Sequence, residues 1–225
     1  MEGVCDMAYT LTSNWLPANK YALKSPYYMT PEGIVVHNNA GKASAADEVA
    51  YMINNNIETS FHVGIDESYV VEAIPFNRNA FHAGDGIGVT SANRCLIGIE
   101  ICRSMDYSDD KYDRAESNAV EYIAQVCLQM GWDGSYLHQH NWYSNTTCPH
   151  RLKAHWEQFK RRVDTRITEI MEDNAESQLA DKNEPSEWAR EAWKQAKEME
   201  LLDGTRPHDA VTREELAAVL VRLKE

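Results

Sequence analysis

Residues 94–102 read RCLIGIEIC, and this is the strongest strand signal in the chain. Ile97, Ile99 and Ile101 project to one side of an extended backbone, while Gly98, Glu100 and Cys102 project to the other. Upstream, Gly33 to His37 (GIVVH) is a short apolar run typical of a buried strand. Ser60 to Asp66 and Tyr69 to Ile74 alternate, are rich in β-branched residues and are separated by two residues, which predicts a hairpin. Helical signals fall between and after these runs. Ser44 with Asp47 predicts an N-cap for a helix carrying Val49, Met52 and Ile53 inward. Ala115 to Met130 has a clear apolar face and ends at Gly131. Tyr136 to His140 is a short extended segment, and His150 to about Met171 is a further amphipathic helix. This order of elements predicts an α/β fold, with a central mixed sheet, helices on both faces and functional residues at the sheet's edge beneath surface loops.

The remainder sets the domain organisation. Pro17 to Thr30, rich in Pro, Tyr and Asn, is predicted to be ordered but irregular, and the long glycine-containing loop 77–93 suits a site better than filler. Residues 172–184 (EDNAESQLADKNE) are polar and without apolar period, and Pro185 follows, so 172–185 reads as a linker. Beyond it, Ser186 to Leu202 predicts a helix, Gly204 and Pro207 a turn, and Thr212 with Glu215 the capping box of a last helix through Leu216, Val219 and Leu220. The predicted division is a main domain over 1–171 and a small helical module over 186–225. That module is too short to bury much core alone, so it is expected to pack on something or self-associate.

Composition excludes several functions. The formal net charge is −13, and acidic residues outnumber basic ones in both halves, so no basic footprint for nucleic acid exists. No apolar run approaches membrane-spanning length, and Met1 to Leu16 lacks the pattern of a secretion signal. The five cysteines, Cys5, Cys95, Cys102, Cys127 and Cys148, are scattered and odd in number, which argues for folding in a reducing compartment.

Three potential metal ligands sit at element ends: His37, a histidine at 138 or 140, and Cys148. Two imidazoles and a thiolate suit a catalytic zinc, which keeps a fourth position for water, whereas a structural zinc wants four ligands in close pairs. His138 and His140 would face the same side of an extended segment, so spacing alone does not choose between them. Glu100, a carboxylate in an apolar strand, must be paired, protonated or functional.

Five motifs in order, GIVVHNNAG (33–41), INNNIETSFHVGID (53–66), IPFNRNAFHAGDG (74–86), IGIEIC (97–102) and HNWYSNTTCPHRL (140–152), resemble the type 2 N-acetylmuramoyl-L-alanine amidases. These are zinc enzymes related to peptidoglycan recognition proteins and common in phage endolysins; the resemblance covers roughly Leu16 to Phe159. It implies hydrolysis of the bond between muramic acid and the stem peptide of bacterial peptidoglycan, with Zn²⁺ held by His37, His140 and Cys148. It selects His140 over His138 and places Glu100 near the zinc water as base. It also implies that His82, Phe61 and Asn38 line the substrate groove. The chain departs from the family pattern twice. Phe61 stands where many relatives carry Tyr, and Thr146 where many endolysins carry Lys, so Thr146 is left to help stabilise the oxyanion. A non-catalytic peptidoglycan-binding protein is the rival reading, but relatives of that kind typically lack the cysteine. Residues 186–223 resemble a single S-layer homology motif, implying a secondary cell-wall polymer or a homo-oligomer as partner. An endolysin of this kind is expected to wait in the host cytoplasm until lysis, then act on the cell wall.

Overall fold

The computed structural model describes residues 9–201, 204, 207, 208 and 211–222; Cys5, Leu202 and the side chains of Glu215 and Val219, on which sequence readings fell, lie outside the described residues. Six strands form one sheet: β1 (Thr10–Ser13), β2 (Ile34–Asn38), β3 (Val63–Ile65), β4 (Tyr69–Glu72), β5 (Ile97–Ile101) and β6 (Leu137–Gln139). Their spatial order is β1-β4-β3-β5-β2-β6. The predicted hairpin is the antiparallel β3–β4 pair, and every other pairing is parallel, so the sheet is mixed. β1 is a strand that the sequence reading did not mark; its side chains are exposed, so no apolar pattern betrays it.

The helices are α1 (Tyr21–Lys24), α2 (Ala45–Asn54), α3 (Ala92–Cys95), α4 (Lys111–Met130), α5 (Trp156–Asn183), α6 (Arg190–Glu198) and α7 (Arg213–Arg222). The Ser44 hydroxyl accepts from the Asp47 N–H, as the N-cap reading requires. Gly131 ends α4 in the left-handed conformation at φ 72°, where its N–H reaches the Cys127 and Leu128 carbonyls. α2 packs on the sheet face that carries Gly64, burying Val49, Met52 and Ile53 with Phe61 and Val71. α4 lies against β3 and β5. Ile97, Ile99 and Ile101 are fully buried, each contributing about 1.5–3 kcal/mol by leaving water.

Two segments differ from expectation. The polar stretch 172–184, read as a linker, is helical, because α5 continues to Asn183. Glu, Ala, Gln, Leu and Lys are good helix formers, and no Gly or Pro interrupts them before Pro185. Lack of apolar period there means only that the helix has no stripe to bury. The chain divides into two compact units, Glu2–Thr168 and Glu169–Glu225, with the boundary inside α5. In the second unit a short 3₁₀ turn, Glu187–Ala189, leads into α6, and Trp188 is 89% exposed.

The lead-in segment 17–30 also does more than irregular chain would. Lys24, at the end of α1, has no exposed surface. Its ammonium donates to Asn55 Oδ1 (3.0 Å), the Ile57 carbonyl (2.5 Å) and the Thr59 carbonyl (3.2 Å). It thereby shapes the chain between α2 and β3 from beneath. Lys24→Met removes the donor to the Ile57 and Thr59 carbonyls and one of the donors to Asn55 Oδ1, and we expect a loss of about 2–4 kcal/mol of stability, measurable by urea denaturation. An unchanged midpoint would mean that water replaces the ammonium without cost.

Candidate metal centre and substrate groove

Register on adjacent parallel strands creates the site. His37 on β2 lies directly beside Glu100 on β5, and Gly64 on β3 flanks Glu100 from the other side. His37 follows the three aliphatic residues of β2 and is 1% exposed. β6 runs parallel to β2 and delivers His140 just past its own carboxyl end. The loop after it returns Cys148 to the same place, where the Asn38 N–H donates to Cys148 Sγ at 3.2 Å. One ligand atom each from His37, His140 and Cys148 falls within 4.8 Å of the others. His37 Nδ1 is 3.8 Å from Cys148 Sγ and 3.9 Å from Glu100 Oε1.

This donor set fits zinc. Tetrahedral Zn–N and Zn–S bonds put nitrogen and sulfur about 3.5 Å apart, close to the spacing found here. Burial, with the Glu100 charge adding to it, pushes the Cys148 thiol up to about 12. Such a thiol ionises near neutral pH only beside a cation. Burial likewise holds His37 well below the usual imidazole range, aided by His82 and His140, so it is a neutral donor. The Glu100 carboxyl is pushed up to about 8 by burial and by the Glu48 charge. Its Oε2 has no hydrogen-bond partner among the described residues. A cation beside it reverses that shift and returns the group to the carboxylate form.

His138 does not join the cluster. β6 ends at Gln139, and His140 opens a 3₁₀ turn, so the two-residue alternation that would have aligned the histidines breaks between them. His138 Nδ1 is instead bonded to the Tyr143 hydroxyl at 2.7 Å.

A groove of about 540 Å³ runs past the three ligands, with Tyr51, Met52 and Ile57 along one side and Thr146 among its polar walls. The residues expected to touch substrate sit differently from one another. Thr146 faces the groove, and its Oγ1 accepts the Cys148 N–H at 3.2 Å, which leaves the hydroxyl proton free to donate. Phe61 lines the groove but is 7% exposed, its ring belonging to the core with Leu16 and Met52. Asn38 is 5% exposed, and each end of its amide makes a hydrogen bond: Oδ1 accepts from the Arg151 N–H and Nδ2 donates to the Tyr112 hydroxyl. It anchors the chain following Cys148 and also lines the groove. His82 also has both ring nitrogens occupied, Nδ1 against His37 Nε2 at 3.0 Å and Nε2 against the Leu96 carbonyl at 3.1 Å. Both line the groove, though little of their own surface is exposed.

Sequence reading missed Ser144, whose hydroxyl lies 2.9 Å from His140 Nε2, and Asn93, whose Oδ1 accepts from the His82 and Ala83 N–H groups at 2.7 Å each. Nothing in sequence spacing marks either, since both act across loops. The glycine-rich character of the 77–93 loop was the one available signal.

Fold and site together define a class: an α/β protein whose mixed sheet presents a three-ligand His/His/Cys constellation, with a carboxylate beside it, to an open groove. The family model for N-acetylmuramoyl-L-alanine amidases matches residues 27–151, and the chain belongs to that family. It is 39% identical over 163 residues to the N-acetylmuramoyl-L-alanine amidase XlyB of Bacillus subtilis strain 168, covering 72% of this chain and 51% of that protein. It is also 39% identical over 166 residues to CwlA of the same strain, covering 73% and 60%. Among solved structures, that of PlyL aligns with a TM-score of 0.65 at 37% identity, covering 70% of this chain and 98% of PlyL. The chain thus matches only about half to three-fifths of the length of these curated relatives.

Proposed function

We propose that this protein hydrolyses the amide bond between the lactyl group of N-acetylmuramic acid and the L-alanine of the stem peptide in bacterial peptidoglycan. The observation that carries the reading is the convergence of His37, His140 and Cys148, with Glu100 Oε1 3.9 Å from His37 Nδ1, in a chain of the amidase family. Those three residues would hold Zn²⁺, which when bound polarises the lactyl carbonyl and acidifies the attacking water. Glu100 takes the proton of that water and later returns it to the departing L-alanine nitrogen. A C–O bond forms as the C–N bond breaks, and the products are a lactyl carboxylate and a free amine. The Thr146 hydroxyl donates to the carbonyl oxygen as negative charge gathers on it. Asn38 keeps the Cys148 loop in place through its bonds to Arg151 and Tyr112.

The rival, a groove that binds peptidoglycan without cutting it, is disfavoured by the intact thiolate ligand. Purified cell walls incubated with the zinc-loaded protein should release new L-alanine amino termini. Binding without such termini would leave only recognition, and amino termini of another residue would move the reaction to another bond.

For the C-terminal unit we propose attachment to a secondary cell-wall polymer, resting on the S-layer-like pattern of 186–223 and on the exposed Trp188. Walls stripped of that polymer should bind the protein less well than intact walls. Equal binding, with a dimer or larger species in sedimentation, would favour self-association instead.

A further inference from the structure

We infer that His82 is a positioning residue that holds His37 in the one tautomer whose Nδ1 lone pair faces Cys148 and His140. The inference rests on the metal-site reading above, but it concerns a residue that lies behind the ligands.

A neutral imidazole carries its proton on either nitrogen, and only the bare nitrogen can bind a metal. His37 Nδ1 faces the cluster, so Nε2 must carry the proton, and some acceptor must hold it there. Carboxylates, carbonyls and water are the usual acceptors behind a metal-bound histidine. Here the partner is another histidine. His82 Nε2 contacts the Leu96 carbonyl at 3.1 Å; a carbonyl can only accept, so Nε2 carries the His82 proton. Nδ1 of His82 is therefore bare and accepts the His37 Nε2–H at 3.0 Å. One backbone carbonyl thus dictates proton placement through two rings to the ligand atom.

The surroundings leave the His82 ring little freedom to do otherwise. Its backbone N–H donates to Asn93 Oδ1 at 2.7 Å, and the ring lies against Gly98. A Cβ on Gly98 would come within 2.6 Å of the His82 ring, so glycine in the middle of β5 makes the space the ring occupies. Gly98 N–H in turn donates to His62 Nδ1 at 2.9 Å, while His62 Nε2 meets the Arg78 carbonyl at 2.9 Å. Both buried histidines behind the site are thus fixed in tautomer by backbone carbonyls. His82 is no catalytic residue, since it acts through His37.

The test compares His82→Leu with His82→Asn by zinc titration against a competing chelator and by ¹⁵N NMR of the metal-free His37 ring. Leucine fills the space but accepts nothing; asparagine is smaller but places an acceptor oxygen where Nδ1 was. We expect His82→Leu to lower zinc affinity by about 10–100-fold and to let His37 populate both tautomers. His82→Asn should stay close to wild type in both measurements. A packing role predicts the opposite order, with leucine retaining zinc and asparagine losing it, and that order would overturn the inference. Equal effects in the two variants, or none in either, would overturn it as well. Failure of the wild-type protein to bind zinc would instead sink the metal-site reading, independently of His82.

Discussion

His140→Ala is expected to lose the metal, while His138→Ala keeps it. The two histidines are two residues apart, yet only His140 brings a ring nitrogen into the cluster with His37 and Cys148. Zinc sites of small domains bind with about 10–16 kcal/mol, and sharing that among their ligands gives roughly 3–4 kcal/mol each, or about 10²–10³ in affinity. Competition with a chromophoric chelator would register a change of this size directly. His138→Ala removes only the bond to the Tyr143 hydroxyl and a ring that packs edge-on against Trp142, neither of which reaches the ligands. The reverse pattern, with the 138 variant empty and the 140 variant loaded, would mean that the wrong side of β6 has been taken for the site.

Glu100→Gln is expected to retain zinc and to slow turnover by about 10²–10⁴-fold, the scale for loss of a general base. The substitution keeps shape and removes only the ability to take a proton, so KM for cell-wall substrate should hardly move while kcat falls. Stability offers an independent check. The carboxyl sits in a buried environment that disfavours its charge, beside the Glu48 charge and with one oxygen unpartnered. A neutral amide removes that penalty, so the metal-free variant should unfold at the same denaturant concentration as wild type or a higher one. A residue kept for structure would show the opposite, losing stability with the carboxylate. Undiminished kcat would place the base elsewhere.

The strand and helix pattern was largely legible because the apolar positions repeat at intervals that local geometry enforces. Alternation in 97–101, the Ser44 cap and the Gly131 terminus each rest on contacts within a few residues, and each element stands where its signal lies. β1 escaped notice because its pairing with β4 is purely backbone, and its side chains carry no burial signal. The helix over 172–183 went unmarked for the converse reason: without an apolar stripe it gives a periodicity argument nothing to find. The ligand types were likewise visible, since a strand-end histidine and a cysteine before proline stand out from their neighbours.

What the sequence determined by itself is the inventory: an α/β succession of elements, two kinds of metal-binding side chain at element ends, and a carboxylate lodged in an aliphatic strand. Tertiary structure alone decided the assignments. Where β6 stops determines which histidine turns toward Cys148, and parallel register determines that Glu100 stands beside His37. The orientation of His82 and Asn38 depends on a carbonyl, a tyrosine and an arginine N–H distant in sequence. Side-chain direction in this site is set by hydrogen bonds between remote segments, and a one-dimensional pattern carries no record of those until the chain has folded.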